Sequence, residues 1–211
     1  MLNIRAFVFN PYQENTYILT LGNAPEAVIV DPGCTPGREQ EQLLAYLDSK
    51  GLRPLAVLLT HAHPDHIGGV RALQERYGIP VYMGEAEKTV FSLDFSTTPI
   101  DDGQTLAIGG FTFEVITTPG HTPGGACYLL SEHKALFTGD TLFRGTIGRT
   151  DLPGGDYDKL IVSVMDKIMG LDGDVEIYPG HGPASSISDE RTNNPFLQPF
   201  NEPWENEDQS F

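Results

Sequence analysis

Apolar residues along this chain fall into short blocks, and their spacing changes from one block to the next. In the first third, the β-rich runs IRAFVF (4–9), NTYILTL (15–21) and EAVIVDP (26–32) are separated by turn residues and read as strands. The next block, TPGREQEQLLAYLDSKG (35–51), has helical spacing, with Leu43, Leu44 and Leu47 on one face. Thr35 is its expected cap, Pro36 suits the first turn and Gly51 the end. PLAVLLT (54–60) reads as a strand, GGVRALQERYG (68–78) as a helix and IPVYM (79–83) as a strand. This βαβαβ order implies a sheet with helices packed on it.

The second half is richer in strands. QTLAIGG (104–110), FTFEVITTP (111–119), GACYLLS (125–131) and KALFTGD (134–140) read as consecutive antiparallel strands joined by short turns. DYDKLIVSVMDKIMG (156–170) is an amphipathic helix with Leu160, Ile161, Val164 and Ile168 on one face, and DVEIYPGHG (174–182) is a late strand. No linker-like stretch or repeat interrupts the pattern, so one α/β domain over 1–211 is expected, with the acidic tail from about 199 to 211 disordered.

Charge narrows the function classes. Twenty-nine acidic against 13 basic residues give a net charge of −16, which repels nucleic acid and leaves a small-molecule partner as the expectation. No apolar run approaches the ~18–20 residues of a membrane span. MLNIRAFVFNPYQ does not resemble a secretory signal, and the two cysteines, Cys34 and Cys127, match no CxxC pattern. A reducing cytoplasm is therefore the expected compartment. Cys34 follows a DPG turn, either packing in the core or lying near a site.

The chemistry-bearing residues sit where strands end. LLTHAHPDHIGGV (58–70) holds His61, His63, Asp65 and His66, three of the six histidines of the chain. Protonated, three imidazoles so close would repel one another, and they gain nothing as a packing unit. A divalent cation removes the conflict, because neutral imidazole and carboxylate are its ligands. Asp31, His121, Asp140 and His181 each follow an apolar run in the same way, whereas His133 falls in the turn SEHK and reads as a solvated residue.

THAHPDHIGG matches the H-x-H-x-D-H signature, and with VDPG upstream and His121, Asp140 and His181 downstream in order, the chain closely resembles the metallo-β-lactamase superfamily. GDTLFRGTIGRTDLPGGD and ERTNNPFL further resemble the short, single-domain members of its glyoxalase II-like (hydroxyacylglutathione hydrolase) branch. The resemblance implies a four-layer αββα sandwich with two facing mixed sheets and metals at one edge. It implies that His61, His63 and His121 hold one ion, that Asp65, His66 and His181 hold a second, and that Asp140 bridges them. Zinc suits this all-N/O set, with iron or manganese as alternatives. The implied reaction is hydrolysis of a thioester such as lactoylglutathione by a hydroxide shared between the metals, with Asp65 orienting the nucleophile or moving its proton.

Around this centre, Asp31 is expected to support a ligand imidazole, or else to be a plain turn residue. Arg144 and Arg149 are candidates to pair with a substrate carboxylate, or else to form salt bridges with Asp151, Asp156 or Glu190. Gly68, Gly69, Gly120, Gly139 and Gly180 are expected to let the backbone turn sharply beside the metals. The C-terminal extension with which longer members hold glutathione has no counterpart after NPFL, and the thiol carrier stays open. Rival readings are a mononuclear-iron persulfide dioxygenase using His61, His121 and Asp140, and a lactonase, β-lactamase or broad esterase. A flavin-linked di-iron protein would carry Glu where His63 stands. Monomer and homodimer are both compatible with the sequence.

Overall fold

The computed structural model describes residues 1–198; the expectation of a disordered tail over 199–211 lies outside the described residues. The first sheet is built from β1 (Leu2–Phe9), β2 (Glu14–Leu21), β3 (Glu26–Val30), β4 (Arg53–Leu58), β5 (Val81–Gly84) and β6 (Thr98–Ile100), in that spatial order. β1, β2 and β3 pair antiparallel, whereas β3, β4, β5 and β6 run parallel, so the sheet is mixed. The second sheet takes β7 (Thr105–Ile108), β8 (Phe111–Thr117), β9 (Ala126–Leu130) and β10 (Ala135–Gly139). After the small hairpin β11 (Leu142–Phe143) and β12 (Thr146–Ile147), it is completed by β13 (Glu176–Pro179) and β14 (Ser185–Ser186), in the order β14-β13-β10-β9-β8-β7. The expected antiparallel run β7 to β10 is present, and β13 joins β10 in parallel.

Helices α1 (Arg38–Ser49), α2 (Pro64–Ile67), α3 (Val70–Tyr77), α4 (Tyr157–Val162) and α5 (Ile187–Asn193) complete the fold. Strand alternation explains the layers. In β3, Val28 and Val30 point between the sheets with Leu19, Leu58, Phe113, Tyr128 and Phe137. Ala27 and Ile29 point the other way, with Val57, onto Leu43 and Leu47 of α1 and Leu73 of α3. On the far side, Cys127, Leu129 and Leu136 pack against Leu160 of α4, Val164, Ile168 and Ile187 of α5. Three apolar seams separate four layers, the expected αββα sandwich. Among the described residues no helix is long and apolar enough to cross a membrane.

Two local expectations are corrected. Thr35 does not cap α1: its N–H and hydroxyl both donate to the Glu39 carboxylate, at 2.8 and 2.7 Å, so the hydroxyl serves as donor where a cap must accept. The chain enters α1 through Gly37 at φ 93°. The helix expected over 156–170 is α-helical only through Val162, capped by Asp156, and continues as a π-helical turn over Ser163–Ile168. The exit expected at Gly51 is present, at φ 61°.

Strand direction delivers the chemistry to one place. β3 and β4 are parallel, and so are β10 and β13; β8 runs the same way as β10 because each is antiparallel to β9. Asp31, the 61–66 loop, His121, Asp140 and His181 therefore all leave the C-terminal ends of their strands. The Ala126 N–H bonded to Thr60 O and the Asn15 N–H bonded to Gly180 O join the two sheets at this rim.

Candidate metal centre

Two groups of ligand atoms converge there. His61, His63 and His121 form one, and Asp65, His66 and His181 the other, each with its ligand atoms within 4.8 Å of one another. His121 Nε2 lies 2.9 Å from His63 Nδ1, His66 Nε2 lies 3.3 Å from His181 Nε2, and Asp65 Oδ2 lies 3.4 Å from His181 Nε2. Ligand atoms placed tetrahedrally at zinc distances stand roughly 3.3 Å apart, so the spacing fits an ion of that size. Asp140 faces both groups: Oδ2 is 3.5 Å from His121 Nε2, and Oδ1 is 3.3 Å from His66 Nε2 and 3.6 Å from His181 Nε2.

For four of the five rings the partner of the outward nitrogen selects the neutral tautomer. His121 Nδ1 meets the Arg149 carbonyl at 2.6 Å and His181 Nδ1 meets the Tyr12 carbonyl at 3.0 Å. A carbonyl only accepts, so both Nδ1 atoms carry the proton and both Nε2 atoms turn a lone pair inward. His66 Nδ1 donates to Asp31 Oδ2 at 3.0 Å. Thr60 gives its hydroxyl proton to the same oxygen at 2.6 Å and so accepts from His61 Nδ1 at 3.0 Å. With both rings neutral, as metal ligands must be, the facing Nε2 atoms of His66 and His181 are two lone pairs 3.3 Å apart. The buried His61 Nε2 and Asp140 Oδ1 have no hydrogen-bond partner at all. Buried acceptors aimed at a shared space need a cation, and the seven residues fit a pair of divalent ions.

Titration separates the two groups: burial disfavours charge on His66 and His181, but Asp140 and Asp31 hold His66 well above the usual imidazole range and Asp65 and Asp140 raise His181, so these two rings take up protons that a bound ion would displace. Burial, reinforced by His66, pushes His61 well below the usual imidazole range, and burial with His121 pushes His63 down to about 4. Burial disfavours charge on Asp140, but the His66, His61 and His121 rings outweigh it and hold the carboxyl far below its ordinary range. Burial disfavours charge on Asp65 as well, but with His181 and His66 protonated, the hydrogen bond from His181 and the charge of His66 outweigh it and hold the carboxyl low.

Asp31 forms a third cluster with His61 and His66, but its place is to support ligands. Its two oxygens already accept from Thr60 N–H, Thr60 Oγ1 and His66 Nδ1. It sits at φ 45°, a conformation that Asp tolerates better than most residues. Of the expected glycines, Gly120 and Gly139 have positive φ (144° and 49°). Gly180 serves by close approach, since a Cβ there would lie 2.5 Å from Asp140 Oδ1 and 2.6 Å from His66 Cε1. Cys34 is fully buried in the layer beneath α1 and α3, with its sulfur against Gly69, in a packing role.

A cavity of about 780 Å³ opens over the centre, with Tyr12, Asp65, Phe143, Arg144, Arg149 and Leu152 in its wall. The two arginines differ. Arg149 is forked onto Asp151 at 2.7 and 2.8 Å, while Arg144 makes no hydrogen bond or ion pair among the described residues. The β11–β12 hairpin that carries Phe143 and Arg144 is braced by the ERTNNPFL segment: Glu190 accepts from Gly145 N–H, and Asn194 donates to Thr146 O and to Glu190.

Three residues near the centre carry no sequence signal. Thr60 relays Asp31 to His61, as above. Glu87 is fully buried and bonds the 61–66 loop. Glu14 is also fully buried, with Oε2 held by Thr16 and Oε1 without a partner, and burial raises its carboxyl well above the usual range.

Known proteins resemble this chain in sequence and fold. The chain is 36% identical to a hydroxyacylglutathione hydrolase, GloC, of Haemophilus influenzae, over 93% of this chain and 98% of that protein. The crystal structure of the BLEG-1 B3 metallo-beta-lactamase superposes with a TM-score of 0.83 at 38% identity, covering 93% of this chain and 99% of that one. TTHA1623 in a di-iron-bound form superposes with a TM-score of 0.81 at 35% identity, covering 92% and 100%. The metallo-beta-lactamase superfamily model matches residues 9–181, a span that begins at the end of β1 and closes on His181, and the chain belongs to that superfamily.

Proposed function

We propose that this protein is a dinuclear metallo-hydrolase of the glyoxalase II-like branch that cleaves a thioester of a small carboxylate-bearing carrier, with lactoylglutathione as the specific candidate. The observation that carries the reading is Asp140, whose two oxygens face two separate ligand groups 3.3 to 3.6 Å away. A mononuclear centre has no use for the second group. The likeness to GloC supports the thioester, and that to TTHA1623 makes iron as reasonable as zinc.

Bound there, a pair of divalent ions supplies Lewis acidity at the acyl oxygen and brings the pKa of water down toward ~7. The residues of the chain do the rest. Asp65 lines the cavity as an ionised carboxylate and is the group available to orient the attacking water and take its proton. Arg144, unpaired on the hairpin, meets the carrier's carboxylate; Arg149, already forked onto Asp151, is the weaker candidate. Tyr12, Phe143 and Leu152 give the acyl and carrier methylenes an apolar wall. A thiolate leaves readily, so no general acid is required. With a net charge of −16, a small soluble substrate in the cytoplasm suits the protein better than nucleic acid.

The test is metal analysis paired with a substrate panel of lactoylglutathione, other acyl thioesters, a lactone, a β-lactam and glutathione persulfide. Two metals per chain and thioester turnover without oxygen uptake are expected. Oxygen consumption with the persulfide, or turnover confined to the lactone or β-lactam, overturns the reading.

A further inference from the structure

Glu87 stands in a 3₁₀ turn (Glu85–Thr89) directly after β5, and its side chain is fully buried. Oε2 accepts from the Ala62 N–H at 2.8 Å and Oε1 from the Gly124 N–H at 2.7 Å. Ala62 lies between His61 and His63. Gly124 lies three residues after His121, on the loop between β8 and β9. One carboxylate therefore ties together the two loops that carry His61, His63 and His121. Among the described residues it pairs with no Lys, Arg or His.

The backbone is shaped to admit it. A Cβ at Gly124 would lie 2.7 Å from Glu87 N and 2.9 Å from Glu87 Cγ, and a Cβ at Gly84 would lie 2.1 Å from the Gly124 carbonyl oxygen. The same segment also reaches a ligand ring. Phe91, whose N–H donates to Glu87 O at 2.9 Å, meets His63 edge to face with ring centroids 5.1 Å apart. The other group has supports of its own: Asp31 and the Tyr12 carbonyl, Asn10 Nδ2 donating to Asp65 O, Asn15 Nδ2 donating to the carbonyls of Pro179 and Gly182 on either side of His181, and the Phe143 ring 6.2 Å from that of His181.

We propose that Glu87 is a positioning residue that sets the spacing of the His61–His63–His121 triad, and hence its affinity for an ion, independently of the Asp65–His66–His181 group. This rests on the reading of the two groups as metal sites. The residue type follows from the geometry. Two N–H donors from different loops converge, and a carboxylate offers an acceptor to each. Glutamine fills the same volume but has one acceptor oxygen, so one N–H would face its NH₂ group. Such supporting contacts typically matter by about 10–100-fold in metal affinity.

The test compares wild type and Glu87→Gln in titrations with zinc against a chromophoric chelator, together with histidine ring NMR of both metal-free proteins. Expected are one ion bound at wild-type affinity and the other about 10–100-fold more weakly, with ring shifts at His61, His63 and His121 and not at His181. Unchanged affinity for both ions overturns the proposal. So does equal weakening of both ions with shifts at every ring, which would mark Glu87 as a general stabiliser. If Glu87→Gln does not fold, Phe91→Leu gives the second reading, with the same site-selective loss expected and an equal loss at both sites against it. If wild type takes up a single ion, the two-metal function falls, while the comparison of that one affinity still decides the role of Glu87.

Discussion

Asp31 Oδ2 lies 3.0 Å from His66 Nδ1, with both side chains buried. The contact fixes which His66 nitrogen carries the proton and turns the other toward His181 and Asp140. Because the Thr60 hydroxyl shares that oxygen and passes the constraint to His61, one carboxylate orients a ring from each ligand group. Asp31→Ala is expected to weaken both metals, by about 10–100-fold, where Glu87→Gln weakens one. Competition with a chelator measures this, and wild-type affinity in Asp31→Ala would show that the rings are held by packing alone.

Asp140→Ala removes the carboxylate whose two oxygens face the two groups, Oδ2 toward His121 and Oδ1 toward His66 and His181. Metal content is expected to fall below two per chain, and thioester turnover by at least about 100-fold, the scale on which one lost stabilising group is felt. Elemental analysis with steady-state kinetics checks this. A fully loaded and active variant would contradict the bridging role.

What the sequence discloses divides by the kind of atom that acts. All seven candidate ligands are side chains, set after apolar runs that end at one rim, and His61-x-His63-x-Asp65-His66 is a spacing that packing alone would not produce. The supporting contacts are largely main chain: the carbonyls of Arg149 and Tyr12, and the N–H groups of Ala62 and Gly124, any of which every residue type could supply. Glu87 is therefore silent in GEAEKT, where Glu85 looks the same and is exposed. Thr35 failed as a cap for a related reason, since Glu39, one turn on, took its hydroxyl proton. The pairing of Arg149 with Asp151 was one of two readings left open, and only the fold distinguishes it from the unpaired Arg144.

That distinction has a kinetic consequence. Arg144→Ala is expected to raise KM for a carboxylate-bearing thioester about 10-fold with kcat little changed, because it removes binding common to ground and transition states. Arg149→Ala is expected to change KM by no more than about 3-fold, its charge being already met and exposed. Equal effects, or an Arg144→Ala effect on an uncharged thioester as well, would refute the assignment.

Alkaline conditions should destabilise the fold through the thiols. Burial raises Cys34 up to about 12 and Cys127 up to about 11, from an ordinary 9.0. Above about pH 9 the unfolded chain releases protons that the folded chain keeps, so stability falls as pH rises through that value, by on the order of 2 kcal/mol per thiol at pH 10.5. The raised phenols of Tyr17 and Tyr128 act in the same direction at higher pH. Urea midpoints at pH 8 and 10.5 measure the slope. At pH 8 a thiol reagent should label neither cysteine in the folded chain and both in urea.

Removing metal should cost stability as well as activity. Without an ion, the buried His61 Nε2 and Asp140 Oδ1 have no partner, and the Nε2 atoms of His66 and His181 are crowded together at 3.3 Å. The unfolded chain never assembles these groups, so ion binding favours the native state. At free metal about 100 times Kd the gain is about 2.7 kcal/mol per ion. For a chain of 211 residues each kcal/mol moves Tm by about 2–4 °C. A fully chelated sample is therefore expected to melt roughly 10–20 °C below one loaded at both groups, and roughly half of that should return when the tighter site alone is refilled. Calorimetry at stepwise metal additions reads both increments. A single step, or no shift on chelation, would mean that the two groups do not each hold an ion.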